Sequence, residues 1–258
     1  MKKKPVFIAF STQKGGVGKT TFTVLAASYL HYLKGYNVAV VDCDYPQHSI
    51  NMMRNRDITL LDTNVALHEL AMAQFSKIEK ATYPILCTSP EKCISSVQKL
   101  VAKSDVEFDF IFFDLPGSVN NPAVLETLSQ MNYIFTPIAA DRISLESTLS
   151  FATVVKTLIV NDPETSCNGI YLFWNMVDGR EKTNLYGAYE AIIRDLDMPI
   201  LKTFVPNTTK YKKEGADDGA ILFRSTIFPA SRVLLKGSRL AELIDEILTT
   251  VKIVDNGE

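Results

Sequence analysis

The chain has 258 residues, of which 47% are hydrophobic and 22% are charged. This composition is typical of a globular protein with a well-buried core and argues against intrinsic disorder. The formal net charge is −2, so the chain as a whole lacks the positive excess that marks many nucleic-acid-binding proteins.

Short strands and helices are predicted to alternate along the chain. The strands are predicted at Val6–Phe10, Asn37–Val41, Tyr83–Thr88, Phe108–Phe113, Tyr133–Ile138, Ile170–Trp174 and Ile200–Val205. The clearest helices are predicted at Thr20–Leu33, closed by Gly35, and at Ser144–Val160, Thr183–Leu196 and Ser238–Ile253. Residues 50–82 are less regular and are expected to form short helices. Apolar strands separated by helices predict an α/β fold, with a mostly parallel twisted sheet covered by helices on both faces.

The sequence gives no sign of domain boundaries or of targeting segments. Because no linker, repeat or low-complexity stretch is present, we expect one domain over residues 1–258, in which residues 254–258 form a short polar tail. The apolar run after the basic start is too short for a signal peptide, and no stretch approaches the roughly 20 apolar residues of a membrane span. We therefore expect a cytoplasmic protein without a membrane partner. Its four cysteines lack metal-ligand spacing and are expected to be reduced thiols: Cys43, Cys87, Cys93 and Cys167.

The segment between the first strand and the first helix has the sequence of a phosphate-binding loop. Its glycines allow a tight turn that directs backbone N–H groups at phosphate oxygens, and the helix dipole favours the same anion. We expect Lys19 to neutralise the β- and γ-phosphates and the Thr20 hydroxyl to bind Mg²⁺. A fortuitous glycine-rich turn would require the Lys-Thr pair to be accidental as well. The predicted nucleotide-binding residues of this loop are Gly15, Gly16, Val17, Gly18, Lys19, Thr20 and Thr21.

A second lysine, Lys14, directly precedes the paired glycines and completes the motif KGGVGKTT. With this deviant Walker A motif the chain resembles the ParA/MinD family of ATPases, and the resemblance covers essentially the whole sequence. In that family the lysine reaches across a dimer interface to the partner's nucleotide. The resemblance therefore implies an ATP-enclosing homodimer, in which Lys14 stabilises charge during phosphoryl transfer. The alternative is a solvated surface lysine.

Two of the predicted strands end in aspartates. Ligands of an open parallel sheet bind beyond the carboxyl ends of its strands, so both strand ends should face the phosphate loop. Asp114 is the Walker B candidate for Mg²⁺, and Gly117 offers a backbone N–H that could sense the γ-phosphate. The resemblance implies that Asp44 orients the attacking water and that Asp42 lies near the magnesium shell. Each aspartate alone is as compatible with a turn at the end of a strand.

The segment after the second predicted strand departs from the family pattern. The family usually reads D-x-D-P-Q, whereas this chain reads Asp-Cys-Asp-Tyr-Pro-Gln over residues 42–47. The additional Tyr45 shifts the Pro-Gln pair by one position. We expect this shift to affect the switch geometry and the rate of hydrolysis rather than nucleotide binding.

The resemblance also implies which residues contact the base. Asn175 follows the strand Ile170–Trp174, and its amide can both donate to and accept from the edge of adenine. Pro206 and Asn207 follow the next predicted strand and resemble the second base-contacting loop of the family. A turn-forming role at the end of a strand is the alternative for Asn175.

Basic residues outnumber acidic ones between Pro206 and Arg239. ParA-like proteins bind DNA non-specifically through this region once ATP has dimerised them, so the resemblance implies salt-dependent binding of double-stranded DNA. A solvated lysine-rich loop is the alternative. The last helix has an acidic polar face, which disfavours membrane binding of the MinD kind. The predicted DNA contacts are Lys210, Lys212, Lys213, Arg232, Lys236 and Arg239, and Arg224 belongs to the same basic group.

Among branches of the family, the chain is most similar to ParA-like proteins of plasmids and conjugative elements, including TraA-like proteins of conjugative transposons. We expect a slow, partner-stimulated, Mg²⁺-dependent ATPase that dimerises on ATP and acts as a DNA-associated partition, positioning or transfer-regulating switch. Such a protein would have a protein activator or cargo and could associate with the nucleoid. The alternatives are an ATPase that positions a protein cargo without DNA, and a metabolic ligase, against which Lys14 argues. An iron–sulfur reductase is disfavoured, because Cys87 and Cys93 do not follow the Walker B strand.

Overall fold

Six short apolar strands form the centre of the computed structural model of this protein, which describes residues 4–117, 121–179, 184–207 and 223–255. All neighbouring strands are parallel, in the order β3-β2-β4-β1-β5-β6. Because β1 lies between β4 and β5, the loop that follows β1 is flanked by the loops that follow both neighbours. The strands are β1 (Val6–Phe10), β2 (Val38–Asp42), β3 (Ile85–Cys87), β4 (Phe110–Asp114), β5 (Tyr133–Ile138) and β6 (Gly169–Trp174).

Helices connect the strands and continue beyond the last of them. The π-helical turn Lys156–Val160 extends α6, and only Asn64 separates α2 from α3. The helices of the described residues are α1 (Lys19–Tyr32), α2 (Ser49–Thr63), α3 (Val65–Ile78), α4 (Cys93–Lys103), α5 (Pro122–Ser129), α6 (Arg142–Val155), α7 (Leu185–Asp195), α8 (Arg232–Ser238) and α9 (Leu240–Asp255).

Successive side chains of each strand point to opposite faces of the sheet and build two separate cores. In β1, Ile8 and Phe10 pack in the core that contains α1 and α9, whereas Ala9 packs in the core that contains α4, α5 and α6. Because helices cover both faces, nearly every strand position is apolar. The predicted fold class, a parallel α/β sheet with helices on both faces, is confirmed.

The predicted strand Ile200–Val205 is wrong as a regular strand. This segment runs beside β6 but forms only isolated bridges, Leu172 with Ile200 and Val177 with Pro206. The carboxylate of Glu246 on α9 accepts the backbone N–H groups of Lys202 and Thr203, at 2.7 and 2.8 Å. Glu246 of the final helix therefore takes the N–H of Thr203, which a continuous ladder with β6 would need between those of Leu201 and Val205.

Residues 50–82 form two long helices, and the prediction of short ones is wrong. α2 has 15 residues and α3 has 14. Several of their large apolar side chains face outward, which obscures the helical pattern in the sequence: Met52, Ile58, Val65, Leu70 and Met72. The C-terminal region also differs, because Arg239 adopts a left-handed conformation with φ of 57° and separates α8 from α9. α9 then continues to Asp255, into the predicted tail, whereas residues 256–258 lie outside the described part of the chain.

One helical stretch within the described ranges, Arg142–Val160, is long and apolar enough to cross a membrane. It contains three charged residues, Arg142, Glu146 and Lys156, so it is not an uninterrupted run of about 20 apolar residues. Its buried residues include Leu145, Phe151 and Val155, which pack in the core with β5. This packing is that of a core helix.

Candidate nucleotide-binding site

The loop between β1 and α1 owes its shape to glycines. Gly16 and Gly18 have φ angles of 77° and 98°, in the left-handed region that side chains disfavour. Gly18 also forms the N-terminal cap of α1, and a Cβ atom there would lie 3.1 Å from the ring of Phe22. The sequence thus enforces a tight turn that exposes the first backbone N–H groups of α1 to an anion.

A cavity of about 290 Å³ lies against this loop. It is lined by the phosphate loop, by the segments after β2 and β4, and by one residue of the segment that precedes α8. The side chains and backbone that line it belong to Gly16, Gly18, Lys19, Thr20, Thr21, Asp44, Leu115, Pro116, Gly117 and Arg224. Residues predicted from three separate motifs therefore meet at one site, next to the positive end of the α1 dipole.

Thr20 and Asp114 meet at this site. The Thr20 hydroxyl donates a hydrogen bond of 2.8 Å to Oδ2 of Asp114. The other carboxylate oxygen, Oδ1, is buried and has no hydrogen-bond partner among the described residues. Burial raises the pKa of Asp114 to about 7, and the charges of Asp42 and Asp44 act in the same direction. A buried carboxylate with an unsatisfied oxygen beside a hydroxyl is the donor set that Mg²⁺ prefers, so these residues fit the predicted metal.

Lys19 is held against the loop. Its ammonium donates to the backbone carbonyl of Lys14 at 3.3 Å, and burial lowers its pKa, although Asp114 and Asp44 partly offset that effect. A Cβ atom on Gly117 would lie 3.0 Å from the Lys19 ammonium and 3.1 Å from the carbonyl oxygen of Gln13. The loop after β4 therefore approaches the phosphate loop as closely as a glycine allows.

Lys14 extends from the loop and is exposed. Its charge helps to lower the pKa of Asp141, although the hydrogen bond from the backbone N–H of Ser144 is the larger cause. An exposed lysine beside the cavity is compatible with a contact to a second molecule and also with plain solvation. Its role across a dimer interface stays a prediction.

The two aspartates after β2 have different environments. Asp42 is fully buried, and its Oδ2 accepts the backbone N–H groups of Ile50 and Asn51 at 2.9 and 3.1 Å. It therefore caps the N-terminus of α2, and no local pattern in the sequence predicts this contact. Asp44 is partly exposed and lines the cavity, and its action on an attacking water stays a prediction. The place of Asp42 near a magnesium shell stays a prediction.

The additional residue Tyr45 is accommodated in a turn between Asp44 and His48. The backbone N–H of His48 donates to the carbonyl of Asp44 at 2.9 Å, and His48 adopts a left-handed conformation with φ of 45°. Tyr45 is exposed, and its ring contacts that of His48 at a centroid distance of 5.8 Å. Tyr45 therefore lies on the exposed side of the turn while Asp44 lines the cavity, and the effect of the shifted Pro-Gln pair on hydrolysis stays a prediction.

The three predicted base-contacting residues do not line the cavity. Asn175 is buried, its Nδ2 donates to the carbonyl of Val17 at 3.0 Å, and its Oδ1 accepts the N–H of Met176 at 2.9 Å. The Asn175 amide thus holds the phosphate loop in place through its hydrogen bond to Val17. Asn207 donates its backbone N–H to Val177 at 2.8 Å and follows Pro206 at the edge of the sheet. Adenine recognition by Asn175, Pro206 and Asn207 stays a prediction.

The predicted DNA-contacting residues are only partly described. Arg232 and Lys236 are exposed on α8. Arg239 instead forms an ion pair of 2.7 Å with Glu242 and lies over the ring of Phe204 at 4.3 Å. Three further predicted contacts lie outside the described ranges: Lys210, Lys212 and Lys213.

Arg224 is a cavity residue that the sequence motifs do not identify. In the sequence it belongs to the basic group expected near DNA, yet it lines the cavity and its Nη1 donates to Oγ1 of Thr21 at 3.4 Å. The two residues are 203 positions apart in the chain, so no motif spacing could have paired them.

Comparison with known proteins agrees with this geometry. The model of a protein family described as "ATPase MipZ" matches residues 6–150, more than half of the chain. This stretch contains the phosphate loop and both aspartate-bearing strand ends. The chain is also 28% identical over 219 residues to the chromosome-partitioning ATPase Soj of Treponema pallidum, a match that covers 79% of this chain and 83% of that protein.

Solved structures with similar folds include two that contain nucleotide. One is a Borrelia burgdorferi protein assigned to plasmid partition and bound to AMPPNP, with a TM-score of 0.58 and 17% identity over 96% of this chain and all of that one. The other is the septum site-determining protein MinD of Pyrococcus horikoshii with Mg-ADP, with a TM-score of 0.59 and 21% identity over 97% of this chain and 98% of that one. At these identities, the structures show a shared fold.

Proposed function

The chain belongs to the MipZ family of ParA/MinD-type ATPases, and we propose that it binds Mg²⁺ and ATP in the cavity over α1 and hydrolyses the ATP. The observation that carries this proposal is the Thr20–Asp114 pair, with its unsatisfied carboxylate oxygen at the foot of the phosphate loop. The Mg-ADP in the similarly folded MinD and the AMPPNP in the plasmid partition protein support the choice of ligand.

Each residue at the site has a part that follows from its position. Thr20 and Asp114 would hold Mg²⁺, which supplies charge neutralisation to the phosphates when bound. The backbone N–H groups of the loop and the Lys19 ammonium bind phosphate oxygens. Asp44, at the mouth of the cavity, orients the water that attacks the terminal phosphate. Gly117 brings its backbone close to Lys19, where its N–H can sense that phosphate.

The proposal includes dimerisation on ATP. Lys14 is exposed beside the cavity, so its ammonium can reach a nucleotide held by a second copy of the chain. A second cation at the phosphates lowers the barrier to phosphoryl transfer in the way that an arginine finger does. The dimer would thus form with ATP, hydrolyse it slowly and dissociate afterwards, which gives a switch between two states.

The kinship with partition ATPases supports a role in partition or positioning, and we propose that the ATP-bound dimer associates with double-stranded DNA in the cytoplasm. Arg232 and Lys236, exposed on α8, are the described candidates for phosphate contacts. Regulation of conjugative transfer is a more specific form of the same role. An ATPase that positions a protein cargo without DNA is the alternative, which the exposed apolar side chains of α2 and α3 would suit.

Two single-lysine variants test the nucleotide part of the proposal. Lys19→Ala should abolish ATP binding, because it removes the cation that faces the phosphates. Lys14→Ala should bind ATP as the wild type does, yet remain monomeric by light scattering and fail to hydrolyse ATP. Normal hydrolysis by Lys14→Ala would show that the site does not work across a dimer interface.

DNA binding is tested separately with a labelled duplex at two salt concentrations. We expect binding that requires ATP and weakens steeply as the salt concentration rises, because the contacts would be to phosphates. Arg232→Gln together with Lys236→Gln should weaken binding without changing hydrolysis in the absence of DNA. If the ATP-bound protein does not bind the duplex at low salt, the cargo-positioning alternative is favoured.

A further inference from the structure

Arg224 brings a cation into the cavity in addition to Lys19, and it comes from the same chain. It lines the cavity together with Lys19 and Gly117, and its Nη1 donates to Oγ1 of Thr21. The guanidinium thus lies beside the first turn of α1, whose N-terminus faces the cavity. A planar guanidinium matches the geometry of phosphate oxygens, to which it can donate two parallel hydrogen bonds.

The segment that carries Arg224 is anchored to α2 by a buried carboxylate. Oδ2 of Asp57 accepts hydrogen bonds from the N–H and hydroxyl of Thr226, at 2.7 and 2.9 Å, and from the hydroxyl of Ser225 at 3.0 Å. Arg56 links the two parts further, because its Nη2 donates to Oδ1 of Asp57 at 2.7 Å and to the carbonyl of Arg224 at 2.6 Å. Asp57 itself is only 2% exposed.

The same segment is also tied to α1, the helix that begins at the phosphate loop. Ser28 donates to the carbonyl of Ser225 at 2.7 Å, and the hydroxyl of Tyr32 donates to the carbonyl of Thr226 at 2.7 Å. The backbone at residues 224–226 is therefore fixed relative to both neighbouring helices. A side chain held in this way needs little reordering when it binds a ligand, and such preorganisation strengthens binding.

The contact with Thr21 indicates which part of the nucleotide Arg224 faces. In a phosphate loop the lysine reaches the β- and γ-phosphates, whereas the backbone at the start of the helix cradles the α- and β-phosphates. Lys19 lies close to Gly117, on the side where the γ-phosphate is expected. Arg224 instead contacts Thr21, the residue that follows the Lys-Thr pair in the first turn of α1.

We propose that Arg224 binds the α- and β-phosphates of the nucleotide within its own subunit. This inference rests on the proposed function, because it assigns a residue to the same nucleotide site. It differs from the expected role of Lys14, which would act on the nucleotide of a second copy and on the terminal phosphate. Because ATP and ADP share the α- and β-phosphates, Arg224 should contribute to the binding of both.

The test uses the full chain and isothermal titration with Mg-ATP and Mg-ADP, followed by steady-state kinetics. Arg224→Gln should weaken the binding of ATP and ADP alike, by about ten- to a hundredfold, and raise KM while kcat stays within about threefold. Arg224→Lys keeps the charge but loses the planar fork, so its affinities should fall between those of Arg224→Gln and the wild type. Arg194→Gln, on the exposed face of α7, is the matched control and should bind as the wild type does.

The possible results separate the inference from the proposed function. If the wild type binds neither nucleotide, the proposed function fails. If the wild type binds and both Arg224 variants bind equally well, only the Arg224 assignment is overturned. A fall in kcat with unchanged affinities would place the guanidinium at the terminal phosphate and would also overturn it. Should Arg224→Gln fail to fold, as judged by its melting curve, the Arg224→Lys comparison decides alone.

Discussion

The buried carboxylate of Asp57 should contribute more to stability than any exposed acid on the same helix. In Asp57→Asn, an NH₂ group that cannot accept hydrogen bonds replaces one carboxylate oxygen. Because the amide is neutral, the Arg56 guanidinium loses its ion pair in either orientation. If the replaced oxygen is Oδ2, three donors of Ser225 and Thr226 also lose their acceptor, and if it is Oδ1, the hydrogen bonds from Arg56 are lost. Breaking a buried, charge-assisted network on one side costs about 3–5 kcal/mol.

The corresponding change in thermal stability is large enough to measure without ambiguity. For a chain of this length, a loss of 1 kcal/mol lowers Tm by about 2–4 °C, so Asp57→Asn should melt about 6–20 °C below the wild type. The assay is thermal unfolding without nucleotide, followed by circular dichroism. Asp62→Asn, the same substitution at an exposed position of α2, should shift Tm by no more than about 2 °C. Equal melting temperatures for the Asp57 and Asp62 variants would refute the proposed anchoring of residues 224–226.

Three further predictions concern the site and the titration of buried groups. A methyl group on Gly117 would press on the Lys19 ammonium and on the Gln13 carbonyl, so Gly117→Ala should weaken ATP binding at least about tenfold in a titration. The pKa of Asp114 is raised to about 7, so the metal-free protein loses stability as pH rises from about 4 to 7. Asp114→Asn should therefore raise Tm by several degrees at about pH 8 but not at about pH 4. The same variant should no longer be stabilised by Mg-ATP. Burial lowers the pKa of His31 below its ordinary value near 6.5, so the wild type loses stability as pH falls below that value. When the pH is lowered from about 7.5 to 5.5, Tm should therefore fall less in His31→Gln than in the wild type.

The features that the sequence predicted well are those set by local chemistry. The limits of β1 and β5 were predicted to the residue, and those of β1 follow from a short apolar run that lies between Pro5 and Ser11. The phosphate loop was predicted from its glycines and the Lys-Thr pair between a strand and a helix, and Gly16 and Gly18 adopt left-handed backbone angles that few other residues adopt. Asp114 was found because an acid directly after a buried parallel strand lies at the ligand-binding edge of the sheet.

The features that were missed depend on contacts between distant segments. Glu246 accepts the N–H of Thr203, which Ile200–Val205 would need for a regular strand beside β6, and it lies more than 40 positions further along the chain. Two further contacts are also tertiary: Asp42 caps α2, and Asn175 donates a hydrogen bond to the carbonyl of Val17. Arg224 reaches the cavity from a segment that is held in place by contacts with Asp57 of α2 and with Ser28 and Tyr32 of α1. None of these contacts produces a periodic pattern or a recognisable motif in the sequence.

The dependence of phosphate release on protein concentration tests the proposed ATP-driven dimer most directly. If Lys14 acts on the nucleotide of a second copy, the rate per molecule with saturating Mg-ATP should rise with protein concentration and reach a plateau as the dimer forms. Lys14→Ala should stay near the background rate at every concentration. A rate per molecule that is constant over about a hundredfold range, and equal in wild type and Lys14→Ala, would contradict the proposed dimeric mechanism.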